Sequence, residues 1–224
     1  KNEPKKVALP VRLKNKLAAA GNRRSFLVAV ADFCERNRSL LLMTWVVMLA
    51  VWGTWLFHDI VTFDAEGLYS SIVMQEWYNQ WFELGRPALV LCKRLLGALL
   101  INPYMSNAVW LVCFPISALI WCVFFERCIG QDIGYYKILF VCVYVSHPVW
   151  SLLFSYRMHM DALAIAMVIL PFGMIELLSW MKTGFKYQMA LAFAAVVFCF
   201  SAFQSFMISF AEACAIILFL KAGE

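Results

Sequence analysis

The sequence predicts an all-α, polytopic integral membrane protein. Three observations lead there. Only 15% of the 224 residues are charged while 63% are apolar. Apolar runs of roughly 20 residues recur, the length at which a helix crosses a hydrocarbon core. None of these runs alternates residue by residue, as a transmembrane β-strand would. The charge pattern then orients the chain. Residues 1–38 hold ten of the nineteen Lys and Arg against Glu3, Asp32 and Glu35. Such a segment belongs on the cytoplasmic side, drawn to anionic lipid.

Taken in order, residues 11–36 place Val11, Leu13, Leu17, Phe26, Leu27, Val30 and Phe33 among Arg23, Arg24 and Arg36. That interleaving predicts an amphipathic helix on the cytoplasmic leaflet, with a solvated basic tail as the plainer alternative. The domain division expected is therefore 1–38, a basic N-terminal segment, and 39–224, the transmembrane domain. The first span covers 39–57. The outer loop 58–103 follows, and its titratable groups as far as Glu83 (His58, Asp59, Asp64, Glu66, Glu76 and Glu83) include no Lys or Arg. Further spans are expected at 104–125, 137–155, 162–181, 188–202 and 205–221, about six crossings in all. Arg127, Lys137, Lys182, Lys186 and Lys221 then share the cytoplasmic side, and Arg157 is the exception. His147-Pro148 should kink the third span and Pro171 the fourth. Residues 88–101 are too short to cross and carry Lys93 and Arg94 in their middle. They read as a helix lying along or dipping into the outer leaflet. The chain ends just after an apolar run, and the expectation is a piece of a longer protein.

The eight cysteines form no CxxC or Cys/His cluster and mostly sit in apolar runs. They predict neither a disulfide framework nor a metal site. No cofactor is called for, although a divalent metal is compatible with the phosphate chemistry considered below.

The polar residues worth weighing concentrate in the outer loops. Asp64 and Glu66 precede a helix on which Tyr69, Val73, Trp77 and Trp81 recur every four residues, an aromatic face suited to the membrane interface. The pair can act as proton acceptor and substrate orienter; equally, Asp64 can cap the helix with Glu66 complementing its dipole. Gly85 can end that helix in a left-handed conformation and Pro87 can open the next, which presents Arg86 at a tight turn as a fork for phosphate. Lys93 and Arg94 can hold a phosphate at headgroup depth or simply snorkel. Tyr156, Arg157, His159 and Asp161 gather a cation, an imidazole and an acid in the second outer loop. Gln204, in the last outer turn, can bind a sugar hydroxyl or satisfy backbone. Glu176 and Glu212 are acids within spans, hence candidates by their position; each lies near an end of its span, so interfacial solvation is the alternative.

The segment YNQWFELGRPALVLCKRLL, behind an acidic pair and an aromatic helix, resembles the membrane glucosyltransferases of O-antigen serotype conversion (the Gtr type II group). His147-Pro148-Val149-Trp150 and Phe203-Gln204-Ser205-Phe206 are similar to later patterns of that family. The resemblance covers about residues 40–221. It implies a GT-C-like glycosyltransferase in a bacterial inner membrane, with a polyprenyl-phosphate sugar as donor and a surface glycan of lipopolysaccharide as acceptor. The active site would face the periplasm and include two interfacial helices. By the same resemblance Asp64 and Glu66 match the acidic motif and Arg86 the Gly-Arg element. Two departures stand out: Ala65 separates acids that are adjacent in the familiar form, and Phe203 precedes the Gln where Tyr is common. The rival class is a flippase or transporter of lipid-linked saccharide, which would need no general base; the clustering of polar residues on one membrane face argues for surface chemistry instead.

Overall fold

The computed structural model describes residues 30–57, 74–96, 103–155 and 159–222, and all regular structure among them is helical. The chain divides between Arg38 and Ser39. In the N-terminal unit, the described helical stretch 30–36 carries exposed ion pairs from Arg36 to Asp32 (3.0 Å) and from Arg38 to Glu35 (3.5 Å). Residues 11–29 of the predicted amphipathic helix lie outside the described residues.

The second unit contains α1 (Arg38–Phe57, entering from the first), α2 (Met74–Glu83), α3 (Pro87–Leu95), α4 (Pro103–Ile129), α5 (Tyr136–Ser146), α6 (Val149–Ser155), α7 (Met160–Thr183), α8 (Lys186–Ala202) and α9 (Phe206–Ala222). A helix stands at each predicted span. Of these, α1, α4 and α7 are long and apolar enough to cross a membrane, whereas α5, α8 and α9 are apolar but have only 11, 17 and 17 residues. At 1.5 Å per residue, 17 residues reach about 25 Å, a little less than the hydrocarbon thickness. Outward-facing positions are apolar, as at Leu42, Phe193, Leu218 and Phe219, in keeping with a bilayer as the surroundings.

The centre of the bundle is α7, which packs along α4 on one side and α8 on the other. Small residues allow the second contact. A Cβ on Gly173 would stand 2.7 Å from the Cβ of Ala195, closer than real Cβ atoms come. Without a hydrophobic driving force between helices in lipid, close backbone approach of this kind supplies the dispersion energy. A two-residue connection makes α7 and α8 antiparallel, and Gly184 closes α7 in the left-handed conformation with its N–H on Trp180 O (2.7 Å).

The proline signals have different outcomes. Pro171 does not interrupt α7. His147-Pro148, by contrast, breaks the third span into α5 and α6. The reason is visible in the hydrogen bonds. The Tyr144 carbonyl would need the N–H that Pro148 lacks, and the Trp150 indole N–H donates to it instead. The Val145 carbonyl would need the N–H of Val149, which donates to His147 Nδ1 (3.2 Å). Its replacement is the buried Trp52 indole of α1, at 2.7 Å. Two tryptophans thereby satisfy the carbonyls freed at the break, where lipid offers no donor.

Trp52→Phe should leave the Val145 carbonyl without a donor at little change in shape. The expected loss is about 1–3 kcal/mol, read as a lower unfolding midpoint in detergent, against a near-silent Val46→Ala on the exposed face of the same helix.

Candidate active site

The end of the bundle opposite Lys182 and Lys186 carries the candidate site. Its geometry begins at the α2–α3 turn. Gly85, with φ of +73°, ends α2, and the Arg86 N–H folds back to Trp81 O at 2.9 Å. Pro87 is the first residue of α3, so Arg86 is pinned as its N-cap between two fixed backbones. The Gly-Arg-Pro turn takes the form its residues predict.

From that turn the Arg86 guanidinium lies 5.4 Å from the centre of the Phe203 ring, at the α8–α9 turn. Its Nη1 is 3.5 Å from His159 Nε2, at the mouth of α7. Arg86 has no carboxylate partner among the described residues, and its Nε is buried without a hydrogen bond. His159 is buried, and its ring stands 5.7 Å from Trp81 and 6.4 Å from Phe203. Burial, with the charges of Arg86 and Lys93 beside it, pushes its pKa down to about 3. At neutral pH it is therefore an uncharged acceptor for the guanidinium, with its own proton on Nδ1. The site holds an exposed-edge cation whose neighbours are an aromatic ring and a neutral imidazole. Among the described residues no carboxylate pairs with it.

Lys93 is placed otherwise than its spacing suggests. It neither snorkels nor faces the headgroup layer. Its ammonium is buried and 2.7 Å from Asp161 Oδ2, with side-chain exposures of 1% and 2%. Asp161 Oδ1 also accepts from the Ala162 N–H at 2.8 Å. The physical cause is the turn of α3: Ala88, Leu89, Val90 and Cys92 pack inward against α7 and α8, and the same face carries Lys93. Lys93 and Asp161 are thus a structural pair joining α3 to α7, and among the described candidates Arg86 and Arg94 remain as cations open to a ligand.

Arg94 is exposed and lies 6.0 Å over the Tyr78 ring. It borders a groove of about 530 Å³ that follows α3 from Pro87 and is walled by Phe82, Leu91, Val197 and Phe198. The aromatic face of α2 turns inward: Trp81 and Tyr78 are buried with Leu89, Val90, Cys92 and Ala162, while Trp77 packs on their edge. These tryptophans support the site from below, because the outward positions of α2 are taken by Glu76, Asn79, Gln80 and Glu83. Gln204 is exposed in the turn beside Phe203. Asp64, Glu66, Tyr156 and Arg157 lie outside the described residues, as do residues 97–101 of the expected outer-leaflet helix; the described helix there ends at Leu95. Of the two acids within predicted spans, Glu176 interacts electrostatically with Arg127, and Glu212 is exposed on α9.

Comparison with protein families, with curated proteins and with solved structures gave no match.

Breaking one side of a buried ion pair strands a charge. Lys93→Met or Asp161→Asn should each cost about 3–5 kcal/mol, while the double variant Lys93→Met/Asp161→Leu should recover most of that loss in the same unfolding assay. A separate expectation concerns His159. In ¹⁵N-histidine NMR spectra its ring should stay neutral from pH 8 to pH 5, whereas an ordinary imidazole titrates near 6.5. Because the folded pKa is depressed, the unfolded chain takes up the extra proton first. Acid should therefore erode stability as pH falls from about 6.5 toward 3.

Proposed function

We propose that this chain forms the donor-binding part of an inverting membrane glycosyltransferase. It would move a sugar, glucose by the family resemblance, from a polyprenyl phosphate to a surface glycan such as O-antigen. In this reading α1, α4, α5 with α6, α7, α8 and α9 make six crossings, the N-terminus is cytoplasmic, and α2 and α3 lie at the periplasmic face of the bacterial inner membrane. The observation that carries the reading is Arg86: a guanidinium with no carboxylate partner among the described residues, fixed at a turn beside an apolar groove.

The chemistry follows from those parts. A prenyl chain would lie in the groove along α3, and its phosphate would meet Arg86, with Arg94 at the groove's border. The acceptor hydroxyl attacks the anomeric carbon as the carbon–oxygen bond to phosphate breaks. Its proton passes to Asp64 or Glu66, and the electron pair leaves on the phosphate. Charge grows on the phosphate oxygens in that step, so a fixed guanidinium helps the transition state more than the ground state. A neutral His159 matters here, because it accepts from Arg86 without competing for the anion.

The test offers radiolabelled polyprenyl-phosphate glucose and a crude surface-glycan acceptor to the protein in nanodiscs. Wild type should transfer label. Asp64→Asn or Glu66→Gln should abolish transfer, and Arg86→Ala should lower it by about 10²–10³, with expression intact in each. Full transfer by both acid variants would end the base assignment. Label that only changes leaflet, in wild type and variants alike, would identify a flippase.

A further inference from the structure

A second cavity, of about 220 Å³ and open on one side, lies between α4, α5, α6, α7 and α9, away from the Arg86 site. One wall is a continuous run of aromatic rings. Trp121 stacks on Phe125 (6.1 Å between centres), Phe125 meets Phe140 edge-on (5.0 Å), Phe140 meets Tyr144 (5.5 Å) and Tyr144 meets Trp150 (5.2 Å). The polar tips of this wall are engaged within the protein. The Tyr144 hydroxyl bonds to Ser117 and Trp121, and the Trp150 indole N–H to the Tyr144 carbonyl. The wall therefore presents ring faces and edges, with no open donor.

Facing it are Ser209 and Glu212 of α9. Glu212 is exposed on α9, at the open side of the cavity, and makes no hydrogen bond or ion pair with any described residue. It is the seventh residue of α9, about 9 Å along the helix from Phe206, with apolar residues on either side. A carboxylate at that depth without a partner is costly and marks a site by default. An aromatic wall opposite one carboxylate is complementary to a cation, since ring faces and a carboxylate both attract positive charge. The volume corresponds to about seven waters, which is room for an ammonium head; the apolar lining, with one carboxylate, suits that head better than a hydroxyl-rich ring. The depth in an apolar helix selects the source: the cation must arrive on an apolar body from the bilayer.

We propose that this cavity binds the head of a cationic amphiphile, with Glu212 as its counter-charge and the Trp121–Trp150 wall as its cradle. The proposal rests on the six-crossing topology of the proposed function, in which α9 is a span, but shares no residue with the Arg86 site, so failure of glycosyl transfer would leave it standing.

The probe is dodecylpyridinium, whose ring quenches tryptophan fluorescence on contact, titrated into the full chain in uncharged dodecyl maltoside. The wild type should show saturable quenching that dodecyltrimethylammonium relieves and dodecanol does not. Glu212→Gln should bind about tenfold more weakly, one ion pair with cation–π support being worth that much, while Glu176→Gln binds as wild type. The variant Trp121→Phe, which keeps the Trp150 indole on the Tyr144 carbonyl, should lose much of the saturable quenching, which keeps the test open if Glu212→Gln does not fold. Equal affinity in Glu212→Gln would overturn the proposal. So would relief by dodecanol equal to that by the cation, which would mark a plain apolar void. Relief by tetramethylammonium as strong as by the dodecyl compound would overturn the bilayer source.

Discussion

The buried pair of Lys93 and Asp161 is the constraint on which the outer face depends. Helix α3 has nine residues, too few to hold itself together by its own backbone bonds. Its inward face is apolar and packs on α7 and α8, which sets its rotation but leaves it able to slide along them. A single ammonium–carboxylate bond, 68 positions apart in sequence, sets the register between α3 and the first turn of α7. Everything at the other end of α3 inherits that register. Arg86 reaches Phe203 and His159 because Lys93 is fixed, and the groove beside Arg94 keeps its wall for the same reason. The pair contributes specificity more than stability, since desolvating two charges consumes much of what their attraction supplies.

Much of the bundle was legible in the sequence, because the membrane makes hydropathy a direct record of helix position. Each predicted span coincides with a helix, and the break at His147-Pro148 follows from covalent chemistry alone. The Gly85-Arg86-Pro87 turn was legible too: each residue type has one natural place in a helix–turn–helix connection. At Pro171 the helix is not interrupted, since α7 runs on through it between α4 and α8.

The site itself was legible by residue type and misread by partner. Lys93 and Arg94 are adjacent, equal in charge and equally plausible as phosphate ligands. Only the rotation of α3 about its axis separates them, turning one into the core and the other outward. That rotation depends on which of Leu89, Val90 and Cys92 meet α7, a property of packing across distant segments. The same holds for Trp77 and Trp81, whose four-residue spacing describes a face without saying what it faces. One signal was available: Asp161 is the one acid in the first turn of a long apolar helix, and a buried acid needs a cation from somewhere.

The tryptophan that bridges α1 to the broken helix bears on how the chain enters its membrane. The indole of Trp52 and the carbonyl of Val145 are 93 positions apart. Residues pass into the bilayer in order, so α1 arrives long before the segment that needs it. When Val145 follows, its carbonyl meets no water and no helical donor. The break can settle at depth only where α1 is still alongside. The folded state therefore needs α1 and the broken helix side by side, and a change that parts them leaves a carbonyl without its donor as well as two surfaces without their packing.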